Sequence, residues 1–380
     1  MNNSFLLSEE LKNKQEEFRT FVNDYIAPSA HKTDSEQNLS EQVIEEIKNK
    51  GFWGTEILSD FGGGNFDMIT YGLFSEEIGR GCSNVRNLLG VQGMVSVALS
   101  KWGTNEQKEK WLPKMATGEV LTAFALTEPE IGSDAANITT KAEKKGASFI
   151  INGKKKWISF AQNANLFLLF AQVEGQAGAF LIERETPGLE VKPINDLLGF
   201  RGSGLGEITL ENCEIPEENL VGRIGFGITY VANYGLVHGR YSTACGCVGL
   251  AQASLEASLK YSGTREQFGK PLVKHQLIQQ MLADMMTEIS AARSLCHRVG
   301  SLQEMGDLNA VLETSMAKYF ASTIASKAAN NSVQIHGANG CSSDFPVERY
   351  LRDVKIMEIV EGSSQIQQQL IAKYGTMSFK

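Results

Sequence analysis

The apolar positions of this chain change period twice along its 380 residues. From residue 1 to about 118 they recur on one helix face. Ser8 and Ser40 stand where N-caps belong, just ahead of the periodic positions. Thr104 with Gln107 has the capping-box pattern before Trp111 and Leu112. The run Phe61-Gly62-Gly63-Gly64-Asn65 between helical segments reads as a loop. Three glycines can cradle a phosphate, but the lysine and spacing of a phosphate-binding loop are missing. From about 119 to 224 short apolar runs take over. Leu166 to Val173 and Ala179 to Glu183 are two of them, separated by Gly175 and Gly178, and Gly206 to Cys213 alternates in strand fashion. Phe149-Ile150-Ile151 and Trp157-Ile158-Ser159 flank Asn152-Gly153, which predicts a hairpin turn. Together these predict a small antiparallel β-domain. It has no strand, glycine-rich loop and helix in succession, which argues against a Rossmann fold. From about 225 helical spacing returns, with long helices at about 225–262, 272–301, 308–337 and 357–374. Four long helices on short turns predict an antiparallel bundle. The organisation is therefore α+β: an N-terminal helical domain (1–118), a middle antiparallel β-domain (119–224) and a C-terminal four-helix bundle (225–380).

Composition narrows the function. An apolar fraction of 42% is enough for large cores. A net charge of −8 and a pI near 5.4 argue against a general nucleic-acid or anionic-membrane binder. No apolar run reaches about 18 residues, so no membrane span is expected. Met1 to Glu10 has no basic segment followed by an apolar one, unlike a secretory signal. The six cysteines are scattered without the paired spacing of a zinc site, and are read as buried reduced thiols of a cytoplasmic enzyme. None of the five histidines pairs with a second ligand at metal spacing. His336, in a Gln-Ile-His-Gly turn, is read as a polar contact.

Five segments carry candidate chemistry. Ala125 to Asp134 lies where helix gives way to strand. Its amides and hydroxyls suit a heterocycle or a phosphate, and equally an ordinary turn built on Pro129 and Gly132. Trp157 packs a core or stacks on a cofactor. Arg265, in Arg265-Glu266-Gln267-Phe268-Gly269-Lys270, suits a pyrophosphate or a helix end. Gln334-Ile335-His336-Gly337 suits a ligand or a glycine C-cap. Glu361 ends a mostly apolar run from Arg349 and precedes Gly362-Ser363-Ser364-Gln365. A carboxylate among apolar residues is poorly solvated, so its pKa rises and it becomes a better base. The plain alternative is a surface glutamate at a helix start.

In this order and spacing, the segments resemble the acyl-CoA dehydrogenase superfamily over essentially the whole chain. The resemblance implies the three-part fold above and bound FAD. It places Phe124, Leu126, Thr127, Gly132, Ser133, Trp157 and Ser159 against the flavin, with Ser363 and Gln365 also touching FAD. Arg265, Phe268 and Gln276 would hold the FAD of a neighbouring subunit, which implies a homotetramer, and Gln334 and Gly337 would lie along the pyrophosphate. Ser133, Arg240 and Gly362 would meet the substrate thioester, and Glu361 would be the catalytic base. Some relatives carry the base on the first bundle helix, at the position of Gly239 here, which cannot serve. The electron acceptor would be an electron-transfer flavoprotein or oxygen.

A finer resemblance rests on Leu197-Leu198-Gly199-Phe200-Arg201, Asn233 to Cys245 and Ser294-Leu295-Cys296-His297. These are similar to a branch that acts on acyl groups bound to an acyl carrier protein during synthesis of unusual polyketide extender units. Three readings follow: an acyl-CoA dehydrogenase, an oxidase of a small hydroxy- or aminoacyl group on a carrier protein, and a non-catalytic descendant serving as a binding module.

Overall fold

A computed structural model describes residues 7–378. Part of the N-terminal stretch considered for a signal, residues 1–6, lies outside the described residues. The first third is helical: α1 (Glu9–Phe21), α2 (Ala30–Glu36), α3 (Glu41–Asn49), α4 (Met68–Gly81), α5 (Ser83–Trp102) and α6 (Asn105–Ala116). Ser8 and Ser40 cap α1 and α3, accepting from the Leu11 and Val43 main-chain N–H groups at 3.3 Å each. The capping box of Thr104 and Gln107 opens α6. Each cap satisfies donors that the helix itself leaves orphaned. Phe61 to Asn65 is a loop, as its glycines require.

The middle third is an eight-stranded sheet: β1 (Thr122–Ala125), β2 (Lys141–Lys145), β3 (Ser148–Ile158), β4 (Leu166–Val173), β5 (Gln176–Glu183), β6 (Leu189–Pro193), β7 (Gly206–Pro216) and β8 (Leu220–Val221). Most neighbours are antiparallel, but β4 takes β1, and one residue of β2, in parallel pairing. The hairpin expected at Asn152-Gly153 is not there. The β3 strand runs straight through this dipeptide, which forms a bulge: the register against β7 shifts between Ile151 and Gly153. The reason is local. Asn152 spends its side-chain oxygen on the Asn212 main-chain N–H across the strand pair, at 2.8 Å. The turn falls earlier, at Gly146-Ala147, where Gly146 supplies the positive φ.

The last third opens with a short π-helical turn (Gly227–Ala232) and continues as α7 (Asn233–Thr264), a two-stranded hairpin of β9 (Glu266–Gln267) and β10 (Lys270–Pro271), α8 (Gln276–Glu304), α9 (Ala310–His336), α10 (Val347–Met357) and α11 (Ser364–Ser378). The helix expected over 357–374 begins only at Ser364: Met357 ends α10, and a turn over 358–363 separates it from α11. Left-handed backbone at Glu361 (φ 59°) and Gly362 (φ 96°) breaks the helical path. Five cysteines are buried; Cys341 is exposed and corrects the uniform burial expected of them. His336 is buried, stacks on Tyr261 with ring centres 4.2 Å apart, and bonds the Ser332 carbonyl, so it is a polar contact. Among the described residues no helix is long and apolar enough to cross a membrane, and no cluster of three potential metal ligands occurs.

Candidate active site

All three parts of the fold contribute to one cavity of about 520 Å³. From the N-terminal part, α5 presents Asn87, Val91 and Met94. From the sheet come Phe124, Leu126, Thr127, Gly132, Ser133, Trp157 and Ser159. From the bundle come Leu236 and Arg240 of α7 and the turn from Ile359 to Ser363, Glu361 and Gly362 included.

The sheet wall is tied down from behind. Gln92 of α5 is fully buried. Its amide nitrogen donates to the Val120 carbonyl at 3.0 Å, and its oxygen accepts from the Thr122 main-chain N–H and hydroxyl at 2.9 Å each, fixing β1 against α5. The loop after β1 is braced by Glu128. This buried carboxylate accepts from the main-chain N–H and hydroxyl of Thr139, from those of Thr140, and from the Lys155 ammonium at 2.8 Å. Burial alone pushes a carboxylate pKa up, yet the hydrogen bonds from Lys155, Thr140 and Thr139 outweigh it and bring Glu128 down to about 2. Glu128 thus holds its neighbour Thr127 at the cavity edge and is itself spent. Trp157 has φ 61°, where the β3–β7 register shifts a second time, and its side chain is 51% exposed. An indole on a sheet wall that is not packed into the core favours the stacking alternative. Ser159 accepts from the Asn87 amide at 3.2 Å.

Glu361 sits in the turn between α10 and α11, and three side chains grip that turn's main chain. Arg240 Nε donates to the Glu361 carbonyl at 2.9 Å. Gln367 donates to the carbonyls of Glu361 and Gly362, at 3.2 and 3.0 Å. Lys318 donates to the Gly362 and Glu358 carbonyls, at 3.0 and 3.4 Å. The residue as a whole is half-buried, but its Oε2 atom is shut off from solvent and has no hydrogen-bond partner. Desolvation raises the carboxyl pKa, opposed by Arg86, Lys318, a hydrogen bond from Thr243, and Arg240. A desolvated carboxylate at a cavity, with one oxygen unpartnered, is a proton acceptor. Gly239 of α7 lies against it: a Cβ there would stand 2.8 Å from Glu361 Oε2, so the glycine makes room for the base.

Six of the sequence-derived candidates lie outside the cavity wall. Arg265, Phe268, Gln276, Gln334, Gly337 and Gln365 are all exposed, Phe268 to 94%. Arg265 and Phe268 belong to the α7–α8 connection, Gln276 opens α8, Gln334 and Gly337 lie at the C-terminal end of α9, and Gln365 is in the first turn of α11. The sequence reading passed over Asn87, Arg86 and Lys318. Their signal is the presence of Asn84, Arg86, Asn87 and Gln92 in the otherwise apolar α5, every one of them buried, and of one fully buried lysine in α9.

Three family models match in succession: the N-terminal domain of acyl-CoA dehydrogenase over residues 8–119, the middle domain over 123–213 and the C-terminal domain over 225–375. The chain belongs to the acyl-CoA dehydrogenase family. The chain is 38% identical over 378 residues to a glutaryl-CoA dehydrogenase of Desulfococcus multivorans, covering 97% of each chain. Its fold superposes on a glutaryl-CoA dehydrogenase from Mycobacterium smegmatis in complex with FADH2 with a TM-score of 0.94, at 27% identity, covering 99% of this chain and 96% of the other. The prolyl acyl carrier protein oxidase AnaB superposes with a TM-score of 0.92, at 29% identity, covering 97% and 99%. The protein is thus an FAD-dependent oxidoreductase. Its cavity fits such a group, with an unpacked indole and the hydroxyls of Thr127, Ser133 and Ser159 along one wall.

Proposed function

We propose that this protein oxidises an acyl thioester, with Glu361 removing the proton from the α-carbon. The observation that carries this is the unpartnered, desolvated Glu361 carboxylate at the cavity. The two-electron acceptor is FAD, held along Phe124, Leu126, Thr127, Gly132, Ser133, Trp157 and Ser159, with Ser363 and Gln365 beside it. The α C–H bond breaks towards Glu361, which keeps the proton as a neutral carboxyl. The electron pair left on the α-carbon forms the new double bond as the β-hydride departs. Arg240 and the turn from Glu358 to Gly362 fix the direction of the base, and Ser133, Arg240 and Gly362 meet the thioester. Orientation of this kind removes much of the entropic part of the barrier. Arg265, Phe268, Gln276, Gln334 and Gly337 serve the FAD of a neighbouring subunit in a homotetramer, and electrons pass on to an electron-transfer flavoprotein or oxygen. Anaerobic mixing with butyryl-CoA, and with a hydroxyacyl or aminoacyl carrier protein, tests the reaction: one of these thioesters must bleach the flavin of the wild-type protein and not that of Glu361→Gln. Bleaching by none, or equally in both proteins, refutes it.

A second reading within this reaction is a small hydroxy- or aminoacyl group on a carrier protein. Behind Glu361, around α4, α5 and α7, lie five more buried polar atoms without partners: Arg86 Nε and Nη2, Tyr71 Oη, His238 Nε2 and Glu56 Oε1. Arg86 Nη1 donates to Thr243 at 3.0 Å, and the rings of Tyr71 and His238 are 4.4 Å apart. Burial pushes Glu56 up to about 7 and His238 down to about 3. None of these four residues lines the cavity, and Arg86 acts on Glu361 from behind it. The relative AnaB, a prolyl acyl carrier protein oxidase, is consistent with a carrier-protein substrate. This reading expects a much higher kcat/KM for the hydroxyacyl or aminoacyl carrier protein than for the same acyl group on CoA. Equal or better use of the CoA ester returns the assignment to an acyl-CoA.

A further inference from the structure

Lys318 is fully buried in α9, and among the described residues its ammonium donates to no side chain. Both of its hydrogen bonds end on main-chain carbonyls of one turn, those of Glu358 and Gly362, on either side of Glu361. Burying an ammonium without a bonded counter-ion is costly and calls for a reason. Carbonyl acceptors alone do not supply one, because a glutamine or a serine would satisfy them with no charge to desolvate. The turn it grips is the strained one: Glu361 is not a glycine, yet has φ 59°. Such backbone persists only where its surroundings over-determine it.

We propose that Lys318 is a positioning residue for Glu361, one that fastens the left-handed turn carrying the base and supplies a buried positive charge to its carboxylate. The inference rests on Glu361 being the base of the proposed reaction.

Two parts can be separated, fastening and charge. The groups facing Lys318 are Cys247 and Arg240 of α7, and Glu358 and Glu361 of the turn. Those facing Glu361 are Arg86 of α5, Arg240 and Thr243 of α7, and Lys318 of α9. Desolvation brings Lys318 down to about 8, opposed by Cys247 and Glu361, so the side chain remains charged at neutral pH. Burial favours the neutral carboxyl at Glu361, and a neutral carboxyl cannot accept a proton. The cations around it oppose that rise and favour the ionised, working form. Arg240 grips the Glu361 carbonyl from one side and Lys318 grips the flanking carbonyls from the other. The turn that carries the carboxylate is therefore held through its main chain from α7 and α9, while Oε2 keeps no hydrogen-bond partner of its own.

The test reads the Glu361 carboxyl directly, without a substrate. Infrared pH titration of the FAD-loaded protein, with Glu361→Gln subtracted to assign the band, gives the midpoint of this one group. In Lys318→Gln, which keeps a donor and removes the charge, the midpoint should rise by about one pH unit, the lower end of what a neighbouring opposite charge does. In Lys318→Arg, which keeps the charge and changes the reach, the midpoint should stay near wild type. Anaerobic flavin reduction, with butyryl-CoA and a hydroxyacyl carrier protein as probes, should then slow in Lys318→Arg at every pH while KM holds. In Lys318→Gln the acid limb of the rate profile should move up with the midpoint. A midpoint unmoved in Lys318→Gln, or shifted equally in both variants, overturns the proposal. If Lys318→Gln does not fold or hold FAD, Lys318→Arg decides alone: a wild-type midpoint with a slowed rate supports the assignment, and a shifted midpoint or an unchanged rate overturns it. Failure of the proposed reaction shows separately, as a Glu361→Gln protein that still bleaches.

Discussion

Glu128, behind the cavity wall, and Glu361, on it, are two desolvated carboxylates with opposite environments. Glu128 receives five hydrogen bonds, from Thr139, Thr140 and Lys155, and is held down near 2. Glu361 has an unpartnered oxygen and is pushed up. Both belong to segments where the chain leaves regular structure. The difference is that one region spends its polar groups on each other and the other leaves them unspent. Satisfied, a buried carboxylate is a brace; unsatisfied, it is a liability to the fold that persists where chemistry needs it.

The largest expected separation between the two lies in rate. Glu361→Gln should lower flavin reduction by substrate about 10²–10⁴-fold in stopped-flow experiments while FAD remains bound. It should leave the melting temperature unchanged or higher, because a desolvated charge is removed. Glu128→Gln should do the reverse. It leaves the buried Lys155 without its counter-ion and should cost about 3–5 kcal/mol in denaturant unfolding, with weaker FAD binding through the Thr127 loop. A Glu128→Gln protein as stable as wild type would end the contrast.

The pH responses should also diverge. Glu361 has a raised pKa, so the rate should fall about tenfold for each pH unit below that raised value as the base fills with its proton. Glu128 has a depressed folded-state pKa. Its contribution to stability is present above the ordinary value of 4.5 and is lost only as pH falls through about 2. Activity should therefore be lost, reversibly, over a pH range in which the Glu128 brace still holds, as circular dichroism at the same pH values would show. The smallest effect belongs to Trp157. Removing an indole that stacks without being core, as in Trp157→Ala, should cost about 1 kcal/mol, or several-fold in the FAD Kd measured by fluorescence quenching, with little change in melting temperature.

Much of this was legible in the sequence, for different physical reasons in different places. Ser8, Ser40 and the Thr104–Gln107 pair announce helix starts because capping is a contact over three residues. The strand Leu166–Val173 is visible because burial on both faces makes it continuously apolar. Asn152-Gly153 misled because the same dipeptide serves a turn or a bulge, and the cross-strand partner Asn212 that decides between them lies 60 residues away. The helix expected over 357–374 failed because Glu361 holds a conformation that favours glycine, imposed by Arg240, Lys318 and Gln367 from elsewhere in the chain. Glu361 itself stood out through its apolar flank and the Gly-Ser-Ser-Gln that follows. The polar layer behind it did not, because Glu56, Tyr71, Arg86 and His238 are separated in sequence and share no motif.

The parallel pairing of β1 with β4 bears on how the molecule is made. Thr122 aligns with Leu166, so the strand that leads into the flavin loop finds its partner only after the intervening β2–β3 hairpin has emerged and folded. Closing so long a segment costs chain entropy before any contact repays it. On a ribosome, the N-terminal helices can assemble while this wall is still missing. The cofactor pocket is thus among the later features to form, and a nascent chain without FAD exposes a half-built apolar wall during that interval. Because Ile359 to Ser363 complete the cavity, that wall waits for the C-terminal turn before FAD can cover it.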